Sequence, residues 1–174
     1  MKVKMILILA LTLISGFFIS CNSSDNDNSA CAQDFEGDLT SDEEVMVGKW
    51  VLTSVTSDKE IDLTNDEEDN ASTNIYAQYS DCQKDSFYIL DDDRVMTFIL
   101  GSDPTCSFHQ ETEGTWKLQG DILSLFSTCF LAEIKINLIP DNSAFTTTSN
   151  VNIVDVNNVT TAVTIVSTYS REVD

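Results

Sequence analysis

From Val45 onward, apolar and polar residues alternate with a period of two, the spacing that sends successive side chains to opposite faces of a strand. The stretch AEIKINLIP is the cleanest instance. Ile134, Ile136 and Leu138 alternate with Glu133, Lys135 and Asn137, and Pro140 ends the run. GKWVLTSV puts Trp50 and Leu52 on one face. TWKLQGDILSLF does the same with Trp116 and Leu118, turns at Gly120-Asp121, and continues from Ile122 to Phe126. SFYILDDDRVMTFIL is two β-rich runs around Asp91, Asp92 and Asp93, which predicts a hairpin with a solvated acidic tip where Arg94 offsets some repulsion. The last third is rich in Thr and Val, as strands are, with a turn at Asn157-Asn158.

The pattern predicts eight strands, at roughly 48–56, 86–91, 94–100, 112–119, 121–127, 132–139, 144–156 and 159–171. Short turns join nearly all of them, so the expected fold is all-β, an antiparallel up-and-down meander that loses its exposed edges by closing into a barrel. One segment departs from the period. NASTNIYAQYSDC, between the first two strands, reads as a short helix capped by Ser72 or Thr73, with Ile75, Tyr76 and Tyr79 on one side. No boundary interrupts the chain after Val45, so 45–174 is expected to be one domain, large enough for a single core.

An eight-strand barrel is just wide enough to be filled by side chains or to hold one small ligand. The expected interior set is Trp50, Leu52, Phe87, Phe98, Trp116, Leu118, Ile134 and Ile136. Alternation also points Leu138 and Met96 inward. In the second strand it leaves two choices, Phe87 with Ile89 or Tyr88 with Leu90. Trp50 and Trp116, both at strand starts, are expected to plug one end.

The chain opens MKVKMILILALTLISGFFISC, two lysines followed by an uncharged apolar run from Met5 to Ile19. That is the head and middle of a secretory signal over 1–20, and it falls short of the roughly 20 residues of a spanning helix. FISC resembles the lipobox of bacterial lipoproteins, a resemblance that implies lipidation of Cys21. Residues 21–44, rich in Asp, Glu, Ser and Asn, read as an acidic flexible tether. The acidic run behind Cys21 resembles the surface-export signal of Bacteroidetes lipoproteins, which implies an outer-membrane, lipid-anchored and surface-exposed protein. Removing the leader takes Lys2 and Lys4 and no acids, leaving seven basic residues against 29 acidic ones and a net charge of −22. Such a chain repels nucleic acid and anionic membrane surfaces.

Four cysteines follow Cys21, an even number that suggests disulfides in an exported protein and allows three connectivities. Cys82 with Cys106 is the first choice, because the two flank a hairpin and meet at its open end. Cys31 with Cys129 is the second pair.

A Gly-x-Trp at the first strand followed by an eight-strand meander resembles a lipocalin. The closer resemblance is to the lipocalin-like domains of Bacteroidetes lipoproteins, carried by GKWVLTSV, DCQKDSFYIL, a second cysteine after the hairpin, and GTWKLQGDILSL. It spans nearly all of 45–172 and implies that Arg171 packs on the first tryptophan.

No catalytic constellation stands out. The single histidine, His109, lies in a polar connection, and no glycine-rich phosphate loop is present. No enzyme activity, cofactor or zinc site is expected. The densest acidic cluster, Asp62, Asp66, Glu67, Glu68 and Asp69, is a weak candidate for calcium and lacks the spacing of a helix-loop-helix calcium loop. Two functions are consistent with the chain. The first is a lipid-anchored binding module for a small apolar or amphipathic ligand. The second is a filled barrel that docks a protein partner through the 143–168 hairpin.

Overall fold

In this computed structural model, which describes residues 34–68 and 70–173, the alternating pattern resolves into nine strands. They are β1 (Gly48–Ile61), β2 (Ser72–Asn74), β3 (Ser86–Leu90), β4 (Val95–Leu100), β5 (Gln110–Gln119), β6 (Ile122–Ser127), β7 (Phe130–Leu138), β8 (Ala144–Val154) and β9 (Thr160–Arg171). Helix among the described residues is limited to α1 (Ser41–Glu44), α2 (Asp81–Lys84) and a single 3-10 turn, Tyr76–Gln78.

From β3 to β9 each strand pairs antiparallel with the next, and β1 closes the ring by pairing β3 on one side and β9 on the other. The result is the closed eight-strand, up-and-down antiparallel barrel expected from the sequence. β2 is an addition: it pairs β1 at Thr56 and Ile61 and stands outside the ring. β1 also runs past 56 to Ile61, through a polar segment that is held by backbone pairing rather than by an apolar face. The helix expected between the first two strands is broken into the 3-10 turn and α2. Ser72 and Thr73 lie in β2 and cap nothing helical, and the capping box belongs to Ser80 and Gln83 at the start of α2.

Antiparallel order sorts the connections to two ends. The turns at 91–94, 120–121 and 139–143 share the base with Gly48 and Arg171. The connections at 62–85, 101–109, 128–129 and 155–159 share the mouth.

Two apolar clusters fill the inner face. The base cluster joins Trp50, Leu90, Met96, Trp116, Leu123, Leu125, Ile136 and Phe145 with Met46. The mouth cluster joins Leu52, Val55 and Ile61 of β1 with Ile153, Val163 and Ile165 of the β8–β9 hairpin, under Ile75. Tyr169 packs against both.

Phe87 is a correction. It pairs with Val51 on the outer face, where the Lys49 ammonium sits 4.4 Å from its ring. Tyr88, directly opposite Trp50, and Leu90 take the interior positions of β3. SFYIL is apolar on both faces, so alternation alone could not choose between them.

The base is closed by a segment expected to be tether. Thr40 and Glu43 form a capping box on α1, and Leu39, Val45, Met46 and Val47 pack on the base cluster. Arg94 is a second correction. Rather than sitting at a solvated tip it is 4 % exposed, at φ 71°, with its guanidinium turned inward. It makes a two-point pair with Glu43, Nη1–Oε1 2.8 Å and Nη2–Oε2 3.0 Å, and donates to the carbonyls of Gly37, Asp38 and Trp116. Glu43 accepts in turn from Leu118 N and Thr40 N. Burial by itself would raise the Glu43 pKa, but the hydrogen bonds from Arg94, Thr40 and Leu118 outweigh it and hold the carboxyl at about 2.

Candidate functional site

The candidate site is the inner wall between the two apolar clusters, together with the mouth above it. At the base the indoles are sealed in. Trp50 Nε1 donates to Met46 O at 2.7 Å and Trp116 Nε1 donates to Asp91 O at 2.9 Å, so both rings are buried without an orphaned N–H. Arg171 lies over Trp50 with its guanidinium carbon 4.6 Å from the ring centroid, and Nη2 donates to Val45 O.

Above this plug the wall changes character. Alternation points Tyr88 of β3, Phe98 of β4, Thr112 of β5, Thr147 and Ser149 of β8, and Ser167 and Tyr169 of β9 inward, and each is only half-buried. Phe98 and Tyr88 face each other at 4.9 Å between centroids, Tyr88 meets Tyr169 edge-on at 5.2 Å, and Tyr169 stacks on Phe145 at 5.1 Å. The Tyr88 and Tyr169 phenols are neighbours in this belt. Burial pushes the Tyr88 phenol up to about 12. The Tyr169 phenol is also raised well above its ordinary value, by burial and by the neighbouring Tyr88 and Tyr79. Both phenols therefore stay neutral at ordinary pH.

The mouth is partly roofed by the connection from β1 to β3. Gln78 fixes it at two points, accepting from Leu63 N and donating to Ile61 O, and Tyr76 OH reaches Leu52 O at 3.2 Å. Cys82 and Cys106 are joined in a disulfide that ties this roof to the connection from β4 to β5, as expected from the flanked hairpin. Asp85 adds to the tie by accepting from Ser102 Oγ and Asp103 N.

Of the sequence-expected interior residues, Trp50, Trp116 and Ile136 lie in the base cluster, with Leu118 and Ile134 packed against it. Leu52 belongs to the mouth cluster, and Phe98 lines the half-buried belt. Tyr79, Tyr88 and Tyr169 were not singled out as a group. The signal for Tyr169 was available, since it shares parity with Arg171 and Ser167 on the last strand. Cys129 is disulfide-bonded. Cys31, its expected partner, and Cys21 lie outside the described residues, as does Asp69. Of the remaining acidic candidates, Asp62 accepts from Thr64 N and Oγ1, and Asp66 accepts from Glu68 N and Asn70 Nδ2. Glu67 and Glu68 are exposed, and no group of three or more metal-ligating side chains forms among the described residues. His109 is exposed, with Nδ1 against Gly101 O and Nε2 3.5 Å from Glu111.

A closed eight-strand meander with a tryptophan plug and an arginine over it defines a lipocalin-like fold. Within that class, residues 23–171 match the family model described as Domain of unknown function (DUF5004), and the chain belongs to that family. Comparison with curated proteins found no match.

Proposed function

We propose that the protein is a non-enzymatic binding module, lipid-anchored through Cys21 at the outer membrane of a Bacteroidetes-type cell, whose barrel holds a small apolar or amphipathic molecule. The observation that carries the reading is a belt of half-buried, inward-pointing aromatic and hydroxyl side chains between two apolar clusters. Trp50, Leu90, Met96 and Trp116 are sealed at the base, and Leu52, Val55, Val163 and Ile165 at the mouth. Tyr88, Phe98, Thr112, Ser167 and Tyr169 between them are buried less completely, as are Leu118, Ile134 and Leu138 beside the base cluster. Concave, mostly apolar chambers with a few convergent polar groups are the usual form of a small-molecule site. The lipobox-like FISC and the acidic segment behind it support the anchor.

Native mass spectrometry of protein purified from its own host tests the reading, with a co-purifying molecule of small mass expected. Bare protein that also fails to take up an apolar dye would defeat it.

One observation favours the second reading, a docking role. β8 pairs β9 along 144–154 but pairs β7 only through 145–147, so residues 148–154 offer a strand edge without a β7 partner. Such an edge can accept a strand from another protein. Cross-linking in intact cells that depends on the 143–168 hairpin and not on the barrel interior would support docking instead.

A further inference from the structure

We infer that the barrel selects an uncharged molecule bearing a hydroxyl or carbonyl group, which hydrogen-bonds to the Tyr88–Tyr169 pair, and that it rejects carboxylates and other anions. The inference rests on the binding reading above and specifies its ligand.

The polar groups of the wall are the first argument. The belt offers phenols and aliphatic hydroxyls only: Tyr88, Thr112, Thr147, Ser149, Ser167 and Tyr169. The two tyrosine rings meet edge-on at 5.2 Å, and each phenol brings one O–H and its lone pairs to a guest. Tyr169 packs against both clusters, so the pair sits at the joint between them, and a guest anchored there would lay its apolar part along either.

The positions of the cations are the second argument. Seven Lys and Arg residues fall among those described; six are engaged away from the belt or exposed to solvent, and Arg171 lies at its lower edge, two residues beyond Tyr169 on the same face of β9. Arg94 is taken by Glu43 and three carbonyls; Arg171 lies over Trp50 and donates to Val45 O, with its buried Nε left without a hydrogen-bond partner. Lys49 pairs with Glu172 on the outer face and Lys135 with Asp121. Lys59 donates to Ala162 O, Lys84 lies over the Tyr76 ring on the roof, and Lys117 is exposed on the outer parity of β5. A carboxylate entering the belt would lose water and find no cation there except Arg171 at its lower edge, already held against Trp50 and Val45 O. The strong negative charge of the whole chain opposes it further. The raised phenol pKa values agree, since both tyrosines keep the protons a neutral acceptor needs.

The experiment uses the full chain, with neutral Nile red as reporter, displaced at pH 8 by 1-decanol or by decanoate. Decanol should displace the dye at a concentration at least about tenfold lower than decanoate. The double variant Tyr88→Phe/Tyr169→Phe keeps both rings and should weaken decanol about tenfold, the effect of losing a hydrogen bond or two, while changing decanoate little. Near-UV circular dichroism checks its packing, and the two single variants stand in if the double variant is perturbed. Decanoate equal to or better than decanol overturns the selection and leaves the binding reading intact. Unchanged decanol affinity in a folded double variant removes the tyrosines from the site. No dye binding to the wild-type chain defeats the binding reading itself.

Discussion

At the base of the barrel, Glu43 and Arg94 bring opposite charges together out of water and spend their remaining hydrogen bonds on the backbone of residues 37–40 and 116–118. At the mouth the fastenings are neutral or covalent: Gln78 clasping the end of β1, Tyr76 reaching Leu52 O, and the Cys82–Cys106 bond. Both ends carry an apolar cluster of buried residues. They differ in what fails when one partner is removed. Taking one charge from the base strands the other in a dry environment, whereas loosening one mouth fastening leaves groups that water can reach.

That difference can be broken in order of expected size. Glu43→Ala should cost about 3–5 kcal/mol in urea unfolding, since it leaves Arg94 buried and unpaired. A cost close to that of a surface substitution would remove the ion pair from the account of the base. Lowering pH attacks the same group. Its pKa is about 2 folded against 4.5 for the free group, so its contribution is complete above about pH 4.5 and is lost as pH falls toward 2. The loss amounts to about 3 kcal/mol, the shift converted at 1.36 kcal/mol per unit. Thermal unfolding between pH 6 and 2 should show it in the wild type and not in Glu43→Gln.

Cutting the mouth bond with Cys82→Ser/Cys106→Ser frees a loop with a sequence separation of 24, and loop entropy sets the loss at roughly 3 kcal/mol. The sharper readout is hydrogen exchange. Amides of 75–85 and 101–109 should lose protection while those of 48–52 and 114–118 keep theirs. Equal loss at both ends would mean that base and mouth open as one. Tyr76→Phe removes a single hydrogen bond from the roof and should cost about 1 kcal/mol. Lys135→Ala, which breaks an exposed pair with Asp121 on the barrel wall, should leave the unfolding midpoint where it was.

The strand pattern was legible because one face of each strand meets a core and the other meets water, and period-two alternation records that contrast. Legibility ended where a residue's environment is set from far along the chain. Arg94 follows three aspartates and looks like part of a solvated turn, yet its partner Glu43 lies 51 residues away in a segment whose composition suggests disorder. Phe87 fails for the opposite reason. The outer face of β3 is apolar too, carrying Phe87 under the Lys49 ammonium, so alternation carries no contrast there. β2 is three polar residues that pair through backbone alone, and nothing in the side chains announces it. The tyrosine belt was half visible. Its members obey the alternation of their strands, but their meeting depends on the register that sets Trp50 opposite both Tyr88 and Arg171.

The bond from Arg171 to Val45 spans 126 residues, and the β1–β9 pairing around it spans nearly as many. Contacts of such separation are the slow ones in folding, because the loop they close must be ordered before it is rewarded. The first strand of the ring therefore has no permanent neighbour on one side until the last strand has been synthesised. A chain that has not yet added β9 holds an incomplete ring with two open edges, those of β1 and β8.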